Sequence, residues 1–297
     1  MAQITAALVK ELREKTGAGM MDCKKALAET SSDLEAAVDW LRTKGLAAAA
    51  KKAGRIASEG LIGLATTHNK GALVEINAET DFVARNETFQ NFVSKVAQVA
   101  LTEGNQINNI SNAKIPDGEH SVEEELTHLI ATIGENMTIR RAAVVSVSKG
   151  VLASYIHNAM IPGMGKIGVL VGINGNNPEF GKQIAMHIAA ANPTALNEDS
   201  LNSSDIEKEK QIQLEIARES GKPEAVIEKM IVGRMKKFVS ESTLMGQSFV
   251  INPDLTVEAA AKDAGVEITD YIRLEVGEGI EKKTEDFAAE VAKTMNS

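Results

Sequence analysis

Aromatic side chains, cysteine and positive charge are all scarce in this sequence. Aromatic residues make up 3% of the chain, which disfavours a platform of stacked rings for single-stranded nucleic acid. The formal net charge of −9 argues against the DNA or RNA backbone as the main partner. The one cysteine, Cys23, excludes an intrachain disulfide and is typical of a reducing compartment. We expect Cys23 to be a small apolar packing residue.

Long apolar runs, targeting signals and recognisable catalytic motifs are missing as well. No apolar run reaches about 18 residues, and the first residues lack the basic-then-apolar order of a secretion signal. We therefore expect a cytoplasmic protein without a membrane span. The histidines at positions 68, 120, 128, 157 and 187 are scattered and complete no triad or zinc spacing. Gly165 and Lys166 form no phosphate loop, because Met160 and Ile167 stand where that motif requires a glycine and a hydroxyl residue. The sequence predicts no catalytic residue, no metal site, no cofactor and no direct nucleotide binding.

What is present indicates a globular protein of more than one folded unit. The chain has 297 residues, of which 43% are hydrophobic and 25% charged, so it can bury a substantial core. The succession of helical and strand patterns predicts the α+β class, with two repeated strand-helix units built on antiparallel sheets. The predicted units are an N-terminal module (1–55), a first core unit (56–150), a second core unit (151–203 and 241–280), a helical hairpin (204–240) and a C-terminal helix (281–297).

The N-terminal module carries the pattern of three short helices. The second is predicted to begin at Met20 and Met21, and a capping box at residues 32–35 is predicted to open the third, which ends at Gly45. The methionine pair leaves two interpretations open. It is either ordinary core filling or an exposed contact surface, because the thioether side chain is flexible and polarisable.

The first core unit begins with a β-hairpin pattern. Apolar runs at 60–65 and 72–77 flank a turn rich in Asn and Gly, and an amphipathic helix starts near Phe89. Residues 80–85, Thr-Asp-Phe-Val-Ala-Arg, lie between the second strand and this helix and are predicted to form a loop. In the structural interpretation Phe82 covers the local core and Asp81 caps the next helix.

A short internal repeat favours a functional role for this loop. Val-Glu-Ile-Asn at 74–77 recurs as Val-Gly-Ile-Asn at 171–174, and each copy precedes apolar residues at helical offsets of four and eight. These are Phe89, Val93 and Ala97 in the first copy and Phe180, Ile184 and Ile188 in the second. The first copy has six more residues between strand and helix, and residues 80–85 lie among them. A loop that one copy lacks is not needed to close the unit, and loops on a rigid scaffold often carry function.

The remaining patterns complete the two core units and add a projection. Residues 102–120 are predicted to form a loop. Helices are predicted near 126–133, 255–264 and 284–295. Strands are predicted near 140–147 and 268–276, and an extended segment is predicted at 248–253. Residues 204–240 show a thin apolar stripe on each side of a turn, opened by a second capping box at 204–207. This pattern predicts a projecting helical hairpin with coiled-coil packing.

Taken together, these motifs resemble the bacterial elongation factor Ts family, the nucleotide exchange factors of the GTPase elongation factor Tu. The resemblance runs from end to end, and its first two segments are highly specific. The matching segments are 8–13 with 16–27, 80–84, 133–136 with 140–141, Tyr155 with His157, 233–238 and 275–281. The chain departs from the compact family pattern at 158–166, where it is longer.

The resemblance implies a ubiquitin-associated-like fold for the N-terminal module, which would dock on the nucleotide domain of elongation factor Tu. It also implies that the protein promotes GDP release by disturbing the partner's magnesium and phosphate site, without covalent chemistry. The residues assigned to that disturbance are Thr80, Asp81, Phe82 and Val83. The other implied partner contacts are Met20, Met21, Ile133 and His157.

Two other classes stay open from the residues alone. A helical adaptor would recognise a peptide or a ubiquitin-like fold through residues 1–45, whereas an exchange factor needs a distributed interface. The turnover of an enzyme would survive the loss of Phe82 but would be abolished by the loss of one titratable residue. His157 has its own alternative, a satisfied polar group at a strand end in place of a base.

Overall fold

Three helices pack together at the N-terminus. The computed structural model describes residues 4–16 and 18–281, and the helices are α1 (Ala6–Thr16), α2 (Met20–Glu29) and α3 (Leu34–Lys52). Their facing sides completely bury Leu12, Cys23 and Leu27. The predicted helices are confirmed, and Cys23 is the packing residue that was expected, because it lies fully buried in this core. Burial also raises the pKa of its thiol.

The third helix differs from the prediction at both ends. Gly45 does not end α3 but lies buried inside it, against Ala131 of α7 (Val122–Ile133). Packing of the two helices outweighs the helix propensity of glycine, which is about 1 kcal/mol worse than that of alanine. At the start, the Asp33 carboxylate accepts the Ala36 N–H at 2.9 Å, so the N-cap is Asp33 and the predicted capping box at 32–35 is wrong.

The first core unit is an antiparallel sheet with helices on one face. Its strands run in the order β3 (Met137–Ser146), β2 (Lys70–Ala78), β1 (Glu59–Thr66) and β5 (Met164–Gly165). The helix α5 (Glu87–Glu103) packs on β1 and β2 and buries Phe89, which confirms the predicted hairpin and helix. The loop prediction for 102–120 is wrong in part. That segment contains α6 (Ile107–Asn112), held by its buried Ile110 although its sequence has little helical periodicity.

The second core unit repeats this arrangement. Its sheet has the order β4 (Val151–His157), β6 (Ile167–Asn174) and β9 (Glu267–Glu275), with α8 (Pro178–Ala191) on one face. The free faces of the two sheets pack on each other, and their shared core includes Ile62, Leu73, Leu170 and Leu274. The result is an α+β fold with antiparallel sheets, as predicted, and its layers run in the order helix, sheet, sheet, helix.

The two units match in backbone detail as well as in order. Gly60 and Gly150 both have positive φ, +130° and +110°. In each, the place of a Cβ is taken by a carbonyl oxygen of the central strand, that of Ile76 or of Ile173. Both central strands also shift register immediately before these isoleucines. The internal repeat predicted from a few residues is therefore a structural repeat.

The smaller elements complete the second unit and add the helical hairpin. The short strands β7 (Ser248–Phe249) and β8 (Asn252–Thr256) precede α11 (Val257–Asp263), and a single 3-10 turn spans Glu198–Ser200. The helices α9 (Ser203–Glu219) and α10 (Glu224–Ser242) pack on each other around Ala217, Ile227 and Ile231. The capping box predicted at 204–207 is wrong, because Asn202 caps α9.

The segment after His157 links the two sheets. Residues 158–166, the longer segment after His157, cross from the second sheet to the first, where β5 pairs with Ile62 and Gly63 of β1. The helix predicted at 284–295 lies outside the described residues. Across 4–16 and 18–281, no helix is long and apolar enough to cross a membrane.

Candidate interaction site

The extra residues of the first unit form one exposed helical turn, α4 (Asp81–Ala84). Asn86 caps α5, accepting the Phe89 N–H at 3.1 Å, and Asn177 caps α8 in the same way. Asn86 lies nine residues after Asn77, whereas Asn177 lies three after Asn174. The insertion of six residues is thus real, but it is a helical turn and not the loop that was predicted.

The two sides of this turn face opposite environments. Val83 is 4% exposed and Ala84 is fully buried in the core of the first unit. Phe82 is 78% exposed and is the most exposed large hydrophobic side chain in the described part of the chain. The structural interpretation of this motif is therefore wrong: Phe82 covers no core, and Asp81 does not cap α5.

A carboxylate from a distant turn holds the start of α4. Thr80 donates its backbone N–H to Glu135 Oε2 at 3.0 Å and its hydroxyl to Glu135 Oε1 at 2.7 Å. Glu135 follows Gly134, which ends α7 with φ +92°, a conformation that a side chain rarely adopts. The two donors of Thr80 are thus fixed by one side chain.

A second carboxylate ties the same two turns together in the opposite direction. Glu79 accepts the backbone N–H of Asn136, and the buried Asn136 side chain donates to the Arg55 carbonyl at 2.7 Å. Adjacent residues 79–80 and 135–136 therefore exchange side-chain and backbone hydrogen bonds reciprocally. This arrangement leaves neither turn free to move by itself.

The end of α4 is closed by its neighbour α5. Gln90 donates its side-chain amide to the Ala84 carbonyl at 2.9 Å, and Asn86 donates its N–H to the Val83 carbonyl at 2.9 Å. Asp81 forms an exposed ion pair with Arg85 at 3.7 Å, a kind of contact that contributes little. The turn presents an anchored apolar side chain and an accessible carboxylate to solvent.

The other predicted contact residues occupy separate parts of the surface. Met20 and Met21 begin α2 and are 59% and 76% exposed, so they are not core filling. Ile133 is partly buried at the end of α7, two residues before Glu135, and packs against the first core. His157 ends β4 exposed, with its Nδ1 3.1 Å from the Tyr155 hydroxyl.

The role of Glu135 at this site could not be predicted from the sequence patterns. It stands 55 positions from Thr80, and no periodicity or local motif connects the two. No group of three or more His, Cys, Asp or Glu side chains in 4–16 and 18–281 could hold a metal ion.

Comparison with known proteins identifies the family. The family described as Elongation factor TS matches residues 79–278. Elongation factor Ts of Dinoroseobacter shibae is 63% identical over 99% of both chains, and that of Ruegeria sp. is 61% identical over 98% of both. Elongation factor Ts of Rhodospirillum centenum is 55% identical over 98% of this chain and 99% of its own.

The class defined by these matches is that of translation elongation factors, which serve protein biosynthesis. Within that class, the chain belongs to the elongation factor Ts family.

Proposed function

We propose that this protein binds elongation factor Tu in its GDP form and promotes GDP release, stabilising the nucleotide-free GTPase until GTP binds. The observation that carries the proposal is the exposed Phe82 beside Asp81 on an anchored turn. Membership of the elongation factor Ts family supports the identity of the partner.

The mechanism follows from thermodynamic linkage. A factor that binds the nucleotide-free GTPase more tightly than the GDP form must weaken GDP binding by the same factor. A ten-thousandfold effect requires about 5.5 kcal/mol of differential binding. The protein must therefore make contacts that form only when the partner's nucleotide site has opened.

Phe82 is placed to make such a contact. Burying a phenylalanine side chain contributes about 1.5–3 kcal/mol, and Phe82, which is 78% exposed, has most of that burial still available. A slot in the partner that opens on loss of GDP would bind Phe82 only in the open state. Because Thr80 and Ala84 are already held, little conformational entropy is lost on binding.

Asp81 would act on the charge of the nucleotide site. A carboxylate brought near bound magnesium competes with the phosphate oxygens for the cation and repels the phosphates. Removing the neutralising charge of the metal then weakens GDP further. Thr80 and Val83 complete the motif, and Val83 does so from the core side of the turn.

The remaining contacts would spread the interface over the molecule. We assign Met20 and Met21 to a docking surface of the N-terminal module, 1–55, with a ubiquitin-associated-like fold. Ile133 and His157 belong to contacts of the core units, 56–150 and 151–203 with 241–280. The hairpin 204–240 is a coiled-coil projection, and residues 282–297 of the predicted C-terminal unit, 281–297, lie outside the described part of the chain. The protein acts in the cytoplasm by contact alone, as an exchange factor without covalent chemistry or a cofactor.

The test is stopped-flow release of a fluorescent GDP analogue from elongation factor Tu. Phe82→Ala should slow stimulated release about 10- to 150-fold, the equivalent of about 1.5–3 kcal/mol, and Asp81→Ala should slow it less. Val232→Ala is a matched control, because Val232 is also apolar and 73% exposed but lies on the helical hairpin. Unchanged release with Phe82→Ala would refute the proposed contact of Phe82 with the opened partner.

Phe82→Ala and one further variant, Met21→Ala, separate the competing classes. An adaptor that binds through residues 1–45 predicts that Phe82→Ala leaves both affinity and release unchanged while Met21→Ala abolishes binding. An enzyme predicts turnover of a substrate that survives Phe82→Ala. The exchange factor alone predicts loss of stimulated release with retained folding.

A further inference from the structure

The side chain of Thr80 is used in an unusual way for its position. Thr80 precedes α4 with extended backbone angles, φ −126° and ψ 160°, and no N–H of α4 bonds to its side chain. A threonine at this position commonly accepts an N–H of its own helix. Here the hydroxyl instead donates to Glu135. Its partner lies outside the turn, and this fixes the turn against the rest of the molecule.

The turn needs that external support because it is too short to be stable alone. A helix of four residues has a costly nucleus and almost no propagation. Its orientation therefore comes from its attachments: Val83 and Ala84 in the core, Gln90 at its end and Glu135 at its start. Of these, Glu135 holds the amino side of Phe82, because it binds Thr80, two residues before Phe82.

Glu135 is itself rigidly placed. The left-handed Gly134 precedes it, and Asn136, 4% exposed, follows it. Asn136 is held through both its backbone N–H and its side chain. A carboxylate on this support can transmit a fixed position to Thr80.

We propose that Glu135 is a positioning residue for nucleotide exchange: by binding both donors of Thr80, it fixes the direction in which Phe82 leaves the surface. This inference rests on the proposed function. It also gives Thr80 a role as an internal anchor, because its hydroxyl is already bonded within the protein.

A double-mutant cycle tests the inference with the full-length protein and stopped-flow GDP release from elongation factor Tu. Glu135→Ala should slow release about tenfold, within the hundredfold that about 1 Å of misplacement costs in a catalytic site. Combined with Phe82→Ala, it should slow release no more than about twofold beyond Phe82→Ala alone, because a residue that acts through Phe82 has nothing left to position. Glu123→Ala, which replaces an exposed glutamate in the first turn of α7, is the control and should stimulate GDP release at the wild-type rate.

A role in stability alone gives a different result. It would lower the folded fraction, measured by circular dichroism, and its effect on release would multiply with that of Phe82→Ala. The inference is overturned if the effects of Glu135→Ala and Phe82→Ala on the release rate multiply. It is also overturned if Glu135→Ala stimulates GDP release at the wild-type rate. If Phe82→Ala also releases GDP at the wild-type rate, the proposed function itself fails.

Two variants of Thr80 keep the test usable if Glu135→Ala does not fold. Thr80→Ser retains both donors and should stimulate GDP release faster than Thr80→Val. Thr80→Val retains only the N–H and should fall between wild type and Glu135→Ala, again without a further effect in the Phe82→Ala background. Equal rates for Thr80→Ser and Thr80→Val would refute the role of the hydroxyl.

Discussion

Replacing Glu75 with glutamine should destabilise the core more than any surface substitution. Glu75 lies on β2 with no exposed surface, between the buried apolar residues Val74 and Ile76. Its carboxylate accepts hydrogen bonds from Arg140, Arg141, Asn77 and the backbone N–H of Gly277. The corresponding residue in the second copy is a glycine, so this charge is a feature of the first unit alone.

The magnitude follows from the number of groups that would lose their partner. Removing one member of a buried ion pair typically costs about 3–5 kcal/mol, because the remaining charge stays buried. Arg140 and Arg141 keep 28% and 32% of their side-chain surface exposed, and water can therefore solvate them in part. We expect Glu75→Gln to lose about 3 kcal/mol, the lower end of that range.

The loss should depend on pH in a defined direction. Burial by itself would raise the pKa of the Glu75 carboxyl, but the Gly277 N–H and the Arg141, Asn77 and Arg140 side chains lower it overall. The stabilisation is therefore complete above the pKa of the unfolded state, about 4.3. It is lost as the pH falls through the lower pKa of the folded state.

Urea unfolding followed by circular dichroism at several pH values measures this effect, with hydrogen exchange of β2 and β3 amides as a local readout. Glu278→Gln is the control, because Glu278 binds Arg141 at 3.0 Å but is 43% exposed and should cost less than about 1 kcal/mol. The reasoning is refuted if Glu75→Gln costs no more than this control at pH 7. It is also refuted if the difference from wild type stays constant down to about pH 3.

Two further predictions concern the N-terminal helices and the second core. The double variant Met20→Ala, Met21→Ala should change the free energy of unfolding by less than about 0.5 kcal/mol but weaken binding to elongation factor Tu in calorimetric titration. Leu27 is fully buried, so Leu27→Ala should instead lower the free energy of unfolding by about 2–5 kcal/mol. Burial lowers the pKa of His187, whose Nδ1 accepts the Val250 N–H at 3.2 Å. The unfolded state therefore binds the proton more readily, and the free energy of unfolding should decrease as the pH falls below about 6.5. Urea titrations between about pH 5 and 8 should show this decrease for the wild type and not for His187→Gln.

Periodicity predicted the elements of this fold better than local end signals did. The hairpin of β1 and β2 and the helix α5 follow from alternation and from the spacing of Phe89, Val93 and Ala97, since the same spacing buries one face in any context. The end signals at Gly45 and at residues 32–35 and 204–207 failed. Packing on another helix or a neighbouring Asp or Asn decided those ends.

The site divides in the same way between local and distant information. The position of the motif at 80–85 could be predicted, because the second copy lacks these residues. The exposure of Phe82 and the burial of Val83, one residue apart, could not. That division depends on how Glu135 and Gln90 orient the turn, and neither contact leaves a periodic trace in the sequence.

The burial of Val83 and Ala84 also changes what the repeat implies. A loop absent from one copy should be dispensable for closing the other, yet two of the six inserted residues have joined the core. Its inner side chains now contribute to stability, and its outer side chains, Asp81 and Phe82, remain free of the core. An insertion built in this way is held rigidly by the fold while its exposed face is not constrained by packing. Contact with a partner can therefore determine which residues lie on that face, without a requirement from core packing.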